Sequence, residues 1–116
     1  MTVSEFWDEQ GIDRDELTKR FVGNLQLAAL CTKKFASDSH YDALIESIAA
    51  KDYGGIELNA HSLKGVGANL GFETFRSLAQ VLVDDVRAER YEDIESDFEG
   101  VKEEYERLCT EIKKID

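Results

Sequence analysis

No proline occurs among the 116 residues. Nothing in the chain therefore removes a backbone donor or stops a helix by ring geometry. Only two cysteines are present, Cys31 and Cys109, and neither has a CxxC or CxxH neighbour. Two reduced thiols on packed helices are favoured over a disulfide or a metal site, although spacing alone leaves the two free to meet in the fold. Basic residues are scarce: 14 lysines and arginines face 25 aspartates and glutamates, for a net charge of -11. A surface of that sign repels nucleic-acid phosphates and anionic membranes. No apolar run approaches the roughly 20 residues that cross a bilayer. The start, Met1-Thr2-Val3-Ser4-Glu5-Phe6-Trp7, lacks the basic and apolar regions of a signal peptide. A cytoplasmic protein, or a domain cut from a larger one, is expected. An end at Ile115-Asp116 without a linker favours a free-standing protein or a trimmed domain. Strand alternation and internal repeats are both missing.

What remains is a helical chain. Hydrophobic residues make up 42%, enough for one domain over residues 1–116 with one core. Met1 to Gln10 reads as a lead-in with a short helical turn, anchored by Phe6 and Trp7. Asp13, with Glu16 three residues on, caps a first helix carrying Leu17, Phe21 and Val22. Gly23-Asn24 is a stop-and-restart signal. One long helix then runs from Leu25 to about Ala50, through Leu27, Leu30, Cys31, Phe35, Tyr41, Leu44, Ile45 and Ile48. Ser37-Asp38-Ser39 is the place where it would kink. Asp52-Tyr53-Gly54-Gly55 is the clearest turn.

A third helix spans about Ile56 to Leu70, with Ile56, Ala60, Leu63, Gly67 and Leu70 as its inner seam. A fourth covers about Phe72 to Arg90, with Phe72, Phe75, Ala79, Leu82 and Val86. The last, from Tyr91 to the end, keeps a heptad-like seam through Ile94, Phe98, Val101, Tyr105, Leu108, Ile112 and Ile115. The expected fold is all-α: an antiparallel up-down four-helix bundle with a short extra N-terminal helix.

The third helix also holds the chain's most unusual group of residues. At 100° per residue His61 falls off the inner seam, and Glu57, Lys64, Gly65 and Ala68 share its side. A neutral imidazole, whose ordinary pKa is about 6.5, is a nucleophile near pH 7. Lys64, one turn away, can offset negative charge on a group transferred to that ring. Gly65 costs about 1 kcal/mol inside a helix relative to alanine, and access to His61 gives it a reason. Gly67 lies on the seam, where it permits close packing. The rival readings are plain. Lys64 can be a solvated lysine, and His40, alone in a polar stretch, is a surface histidine. The glycines of Gly65-Val66-Gly67 lack the strand and spacing of a nucleotide loop. Glu57-His61 is a weak zinc signal, and Asp84-Asp85 reads as a solvated face. No Ser-His-Asp or Cys-His grouping is visible in the spacing.

The run Ala60-His61-Ser62-Leu63-Lys64-Gly65, followed by Asn69-Leu70-Gly71, resembles the signature of histidine-containing phosphotransfer (HPt) domains. Asp52-Tyr53-Gly54-Gly55-Ile56 is similar to the family's lead-in to the active helix. The resemblance implies a four-helix bundle whose exposed histidine carries a phosphoryl group between receiver-domain aspartates. It makes His61 the phosphoacceptor, Lys64 a contact for the phosphoryl oxygens and Gly65 the clearance. It implies receiver domains and a hybrid histidine kinase as partners, Mg²⁺ on the receiver, no cofactor on this chain and no kinase activity of its own. A monomer is expected. Val66 departs from the pattern, since a small polar residue commonly follows the glycine. Gln80, Asp84 and Arg87 are the fourth-helix candidates to reach the site. Two other readings stay open: a receiver-binding adaptor that accepts no phosphate, and the phosphotransfer domain of a chemotaxis-type kinase. A bundle whose histidine is incidental is the bland alternative.

Overall fold

Side-chain caps set where the first five α-helices begin. In the computed structural model, which describes residues 1–116, Thr2 and Glu5 form a reciprocal capping box that starts α1, Val3–Glu9. The Asp13 carboxylate accepts from the backbone of Asp15 and Glu16 and starts α2, Arg14–Arg20. Val22 and Gly23 then take left-handed backbone conformations, and Asn24 caps α3, Leu25–Lys34. The stop and restart at Gly23-Asn24 is therefore present.

The expected single helix from Leu25 to Ala50 is two. After Lys34 the chain tightens into a 3-10 turn, Phe35–Ser37. Asp38 is extended, at ψ 124°, and its side chain caps α4, Ser39–Ala49. A short polar residue that satisfies the next helix's free N–H groups competes with continuing the old helix. The Phe35 carbonyl accepts from the Asp38 N–H at 3.3 Å and from the Tyr105 hydroxyl at 3.0 Å. The Phe35 ring turns inward, with centroids 4.9, 5.1 and 5.1 Å from Phe72, Phe75 and Tyr105.

The predicted turn at Asp52 to Gly55 is also corrected. Lys51 makes the turn with φ 53°, and α5, Tyr53–Leu70, starts three residues earlier than the periodicity indicates. Asp52 accepts from the Gly55 N–H at 3.0 Å. A Cβ at Gly55 would sit 2.6 Å from both that carboxylate and Ser47 Oγ, so the cap and α4 together require glycine there. Gly71, at φ 81°, ends α5. Next comes α6, Glu73–Arg87, ending three residues short of the expected Arg90. A 3-10 turn, Tyr91–Asp93, leads into α7, Ile94–Ile112.

The seam positions of the last three helices fill one contiguous core. Ile56, Ala60, Leu63, Gly67 and Leu70 of α5 are all buried. They meet Phe75, Ala79, Leu82 and Val86 of α6 and Val101, Tyr105 and Leu108 of α7. α5 is central, packing on α4 and α6, and α7 covers α6. A Cβ on Gly67 would lie 3.0 Å from Phe75 Cδ2 and 3.4 Å from the Arg76 nitrogen. Its missing side chain thus sets the approach of α5 to α6. α1 is part of the same core: Phe6 meets Phe72 edge-on and Trp7 Nε1 donates to Thr32 Oγ1 at 3.2 Å.

On α3 the inward face differs from expectation. Ala28 and Thr32 are buried, whereas Leu27 and Leu30 are 43% and 48% exposed. Ile45 of α4 also faces out. The molecule is elongated, 40 × 25 × 20 Å.

Candidate functional site

α5 keeps its hydrophobic seam turned inward, so the opposite ridge faces water along its length. His61 stands near the middle of that ridge and is exposed. It sits in a shallow open depression with Gly54, Glu57, Leu58 and Arg87. Lys64, one turn on, is half-buried and has no carboxylate partner. Gly65 is exposed, and a Cβ built there would meet nothing within 4 Å. The fold itself gives no reason for glycine at this position, unlike Gly55 or Gly67.

Of the fourth-helix candidates, only Arg87 reaches the depression. Its Nε donates to Glu57 Oε1 at 3.0 Å across the α5–α6 groove. That pair neutralises Arg87 and occupies Glu57, so the uncommitted cation beside His61 is Lys64. Gln80 and Asp84 hold one another instead, Nε2 to Oδ1 at 2.7 Å. Ser62 spends its hydroxyl on the Leu58 carbonyl, at 3.1 Å. Val66 is half-buried and turned toward Phe21, Cys31 and Phe35 rather than toward His61. In this chain position 66 is a packing position.

Sequence reasoning missed Leu58, 65% exposed and one turn before His61. The signal was available: a leucine three residues before His61 lies off the inner seam, as His61 does. The Glu57–Arg87 pair spans 30 residues and no local pattern announces it.

The weaker metal reading finds no support in the geometry. Glu57 points to Arg87, and nowhere do three His, Cys, Asp or Glu side chains converge in a metal-binding group. His40 lies elsewhere, its Nδ1 3.0 Å from Asp38 Oδ1. Both cysteines are free thiols. Burial pushes the Cys109 thiol up. No helix is long and apolar enough to cross a membrane.

The helical bundle holds one solvent-facing imidazole beside an unpaired lysine and a gap in the helix surface. The family can be stated as well: the family model for the Hpt domain matches residues 35–111, and the chain belongs to that family. Hpt domains are phosphocarrier modules of two-component phosphorelays, where they work with receiver domains and kinases. No curated protein and no solved structure matches the chain.

Proposed function

We propose that residues 1–116 form one phosphotransfer domain that accepts a phosphoryl group on His61 from a receiver-domain aspartate and passes it to another receiver. A His61 ring nitrogen attacks phosphorus and the P–N bond forms. The P–O bond to the aspartyl carboxylate breaks, and the carboxylate leaves with the electron pair. Transfer to the next receiver is the reverse at a new aspartate. Lys64 stabilises the equatorial oxygens during transfer, and Gly65 gives the partner clearance. The receiver brings its own Mg²⁺. The chain has no autonomous kinase activity and works as a cytoplasmic monomer. Its helices from α3 onward follow one another up and down as a four-helix bundle, with α3 and α4 sharing one column.

The observation that carries this reading is the open space at Gly65 beside exposed His61 and unpaired Lys64. An adaptor that binds receivers without accepting phosphate does not need a cation one turn from the imidazole. The phosphotransfer domain of a chemotaxis-type kinase would instead take its phosphoryl group from ATP through a separate kinase domain.

Incubation with phosphorylated receiver domains tests the assignment. Wild type acquires acid-labile, base-stable phosphate. His61→Gln acquires none while its circular dichroism is unchanged. Labelling of His61→Gln refutes the assignment, and label obtained only from a kinase with ATP moves it to the chemotaxis-type reading.

A further inference from the structure

The depression around His61 holds two further polar side chains, Glu57 and Arg87, and Gly54 and Leu58 complete its lining. From α3 onward, every other ion pair joins residues at most five apart. Glu57–Arg87 alone links two helices. Arg87 lies in the last turn of α6, where the helix carbonyls favour a cation. The fold gives only a weak reason for a charge pair at this place. The two side chains are 53% and 40% exposed, and ion pairs that open to water contribute little to stability.

Only one nitrogen of the guanidinium is used. Arg87 Nε donates to Glu57 Oε1 at 3.0 Å, and neither Nη group has a protein partner. A guanidinium presents its donors as a rigid planar fork. Holding Nε on Glu57 therefore restricts where the Nη groups point. Glu57 precedes His61 by one turn of α5, a rise of about 6 Å. Two free Nη groups beside that ring match a ligand with several anionic oxygens. Arg87 also cancels the Glu57 charge, which would otherwise repel such a ligand one turn away.

We propose that Glu57 is a positioning residue: it holds Arg87 by Nε so that the Nη groups bind the phosphoryl oxygens once the group is on His61. This rests on the phosphotransfer reading and deepens it. Lys64 acts while the phosphoryl group moves, and the Glu57–Arg87 pair acts on the group at rest. Interactions made to the resting phosphohistidine raise the barrier to its loss, whereas those made only in the transition state lower it. The pair thus sets how long the carrier keeps its phosphate between partners.

The test follows loss of phosphate from the full chain after labelling with phosphoramidate, a small donor that needs no partner surface. A His61 ring nitrogen attacks phosphorus, the P–N bond of the donor breaks, ammonia leaves, and the remaining ring proton passes to solvent. Arg87→Ala and Glu57→Ala should each shorten the phosphohistidine half-life by about fivefold, with the thermal midpoint within about 2 °C of wild type. Arg87→Lys keeps a cation opposite Glu57 but loses the fork, and should not restore the wild-type half-life. A purely structural pair would move the midpoint and leave the half-life alone, which overturns the proposal. A longer half-life in Glu57→Ala overturns it too, since Glu57 would then compete for Arg87 rather than position it. A wild-type half-life in Arg87→Lys overturns the role of the Nη groups, and absence of phosphoramidate label on His61 overturns the whole proposal. Receivers that fail to label the wild type refute the phosphotransfer reading separately, because these half-lives involve no receiver.

Discussion

Replacing Gly65 with alanine should make the free protein more stable and the carrier slower. The added methyl meets nothing within 4 Å, so it brings helix propensity without a clash. Glycine to alanine in an exposed helix interior is worth about 1 kcal/mol. For a chain of this size that raises the thermal midpoint by about 4 °C. The same methyl stands on the exposed ridge one turn from His61, in the path of an approaching protein. A displacement of about 1 Å at a reacting centre can cost a hundredfold, and a tenfold or greater fall in receiver-dependent transfer is expected. Gly67→Ala is the matched contrast. There the methyl lies 3.0 Å from Phe75 Cδ2. Phe75 is fully buried and its ring is held by Phe35 at 5.1 Å, so it cannot give way. Overpacking of about 1–3 kcal/mol then exceeds the propensity gain, and the midpoint falls. Scanning calorimetry and a stopped transfer assay on the two variants separate the effects. If Gly65→Ala is stabilised yet transfers at the wild-type rate, clearance is not why the glycine is there. If Gly65→Ala is destabilised, the space above it is not open.

Three further outcomes are expected. Lys64→Ala should slow transfer to His61 by about ten- to a hundredfold with the midpoint within about 2 °C of wild type, and an unchanged rate removes the lysine from the mechanism. Thr32→Val leaves Trp7 Nε1 without its acceptor and should cost about 1–3 kcal/mol in denaturant unfolding; no loss would mean that the indole finds another partner. Burial, together with the facing Asp85 carboxylate, pushes Asp97 up to about 7, and its buried Oδ2 has no hydrogen-bond partner. Asp85 itself is held below the usual carboxylate range by Asp97 and Arg90. Between about pH 4, where an unfolded aspartate titrates, and pH 7, the folded chain keeps a proton on Asp97 that the unfolded chain has lost. Stability from this group is full below that window and falls as pH rises through it. Asp97→Asn should therefore raise the midpoint at pH 8 by an amount worth about 1–2 kcal/mol, the linkage being reduced by partial exposure, and change it little at pH 5. Equal shifts at both pH values contradict the raised titration of Asp97.

The helices from α5 onward were legible because their seams repeat at helical spacing with one apolar face each. His61, Lys64 and Gly65 were legible for the converse reason, as polar and bare positions off that seam. The break after Lys34 was not, because a cap at Asp38 competes locally with helix continuation and periodicity across Phe35 to Tyr41 reads the same either way. Gly54 and Gly55 look like a turn until Asp52 and Ser47 are seen packed against the space where a side chain would be. The orientation of α3 was misread since both of its faces carry small or apolar residues. Only the Trp7–Thr32 hydrogen bond and the inward Phe35 show which face is covered. Among Gln80, Asp84 and Arg87, spacing alone could not choose, and the pairing of Arg87 with Glu57 decides it.

The stretch that defines the family begins at Phe35, yet Phe6 and Trp7 lie wholly inside the shared core. Phe6 closes over Phe72, which touches the ring that ends α3. The cooperative unit is thus larger than the signature that identifies it. A graft carrying only the matched stretch into another protein would lack its hydrophobic lid, exposing Phe35 and Phe72 to water and to other chains. The portable unit begins upstream of Phe6, at the capping box that lets α1 form.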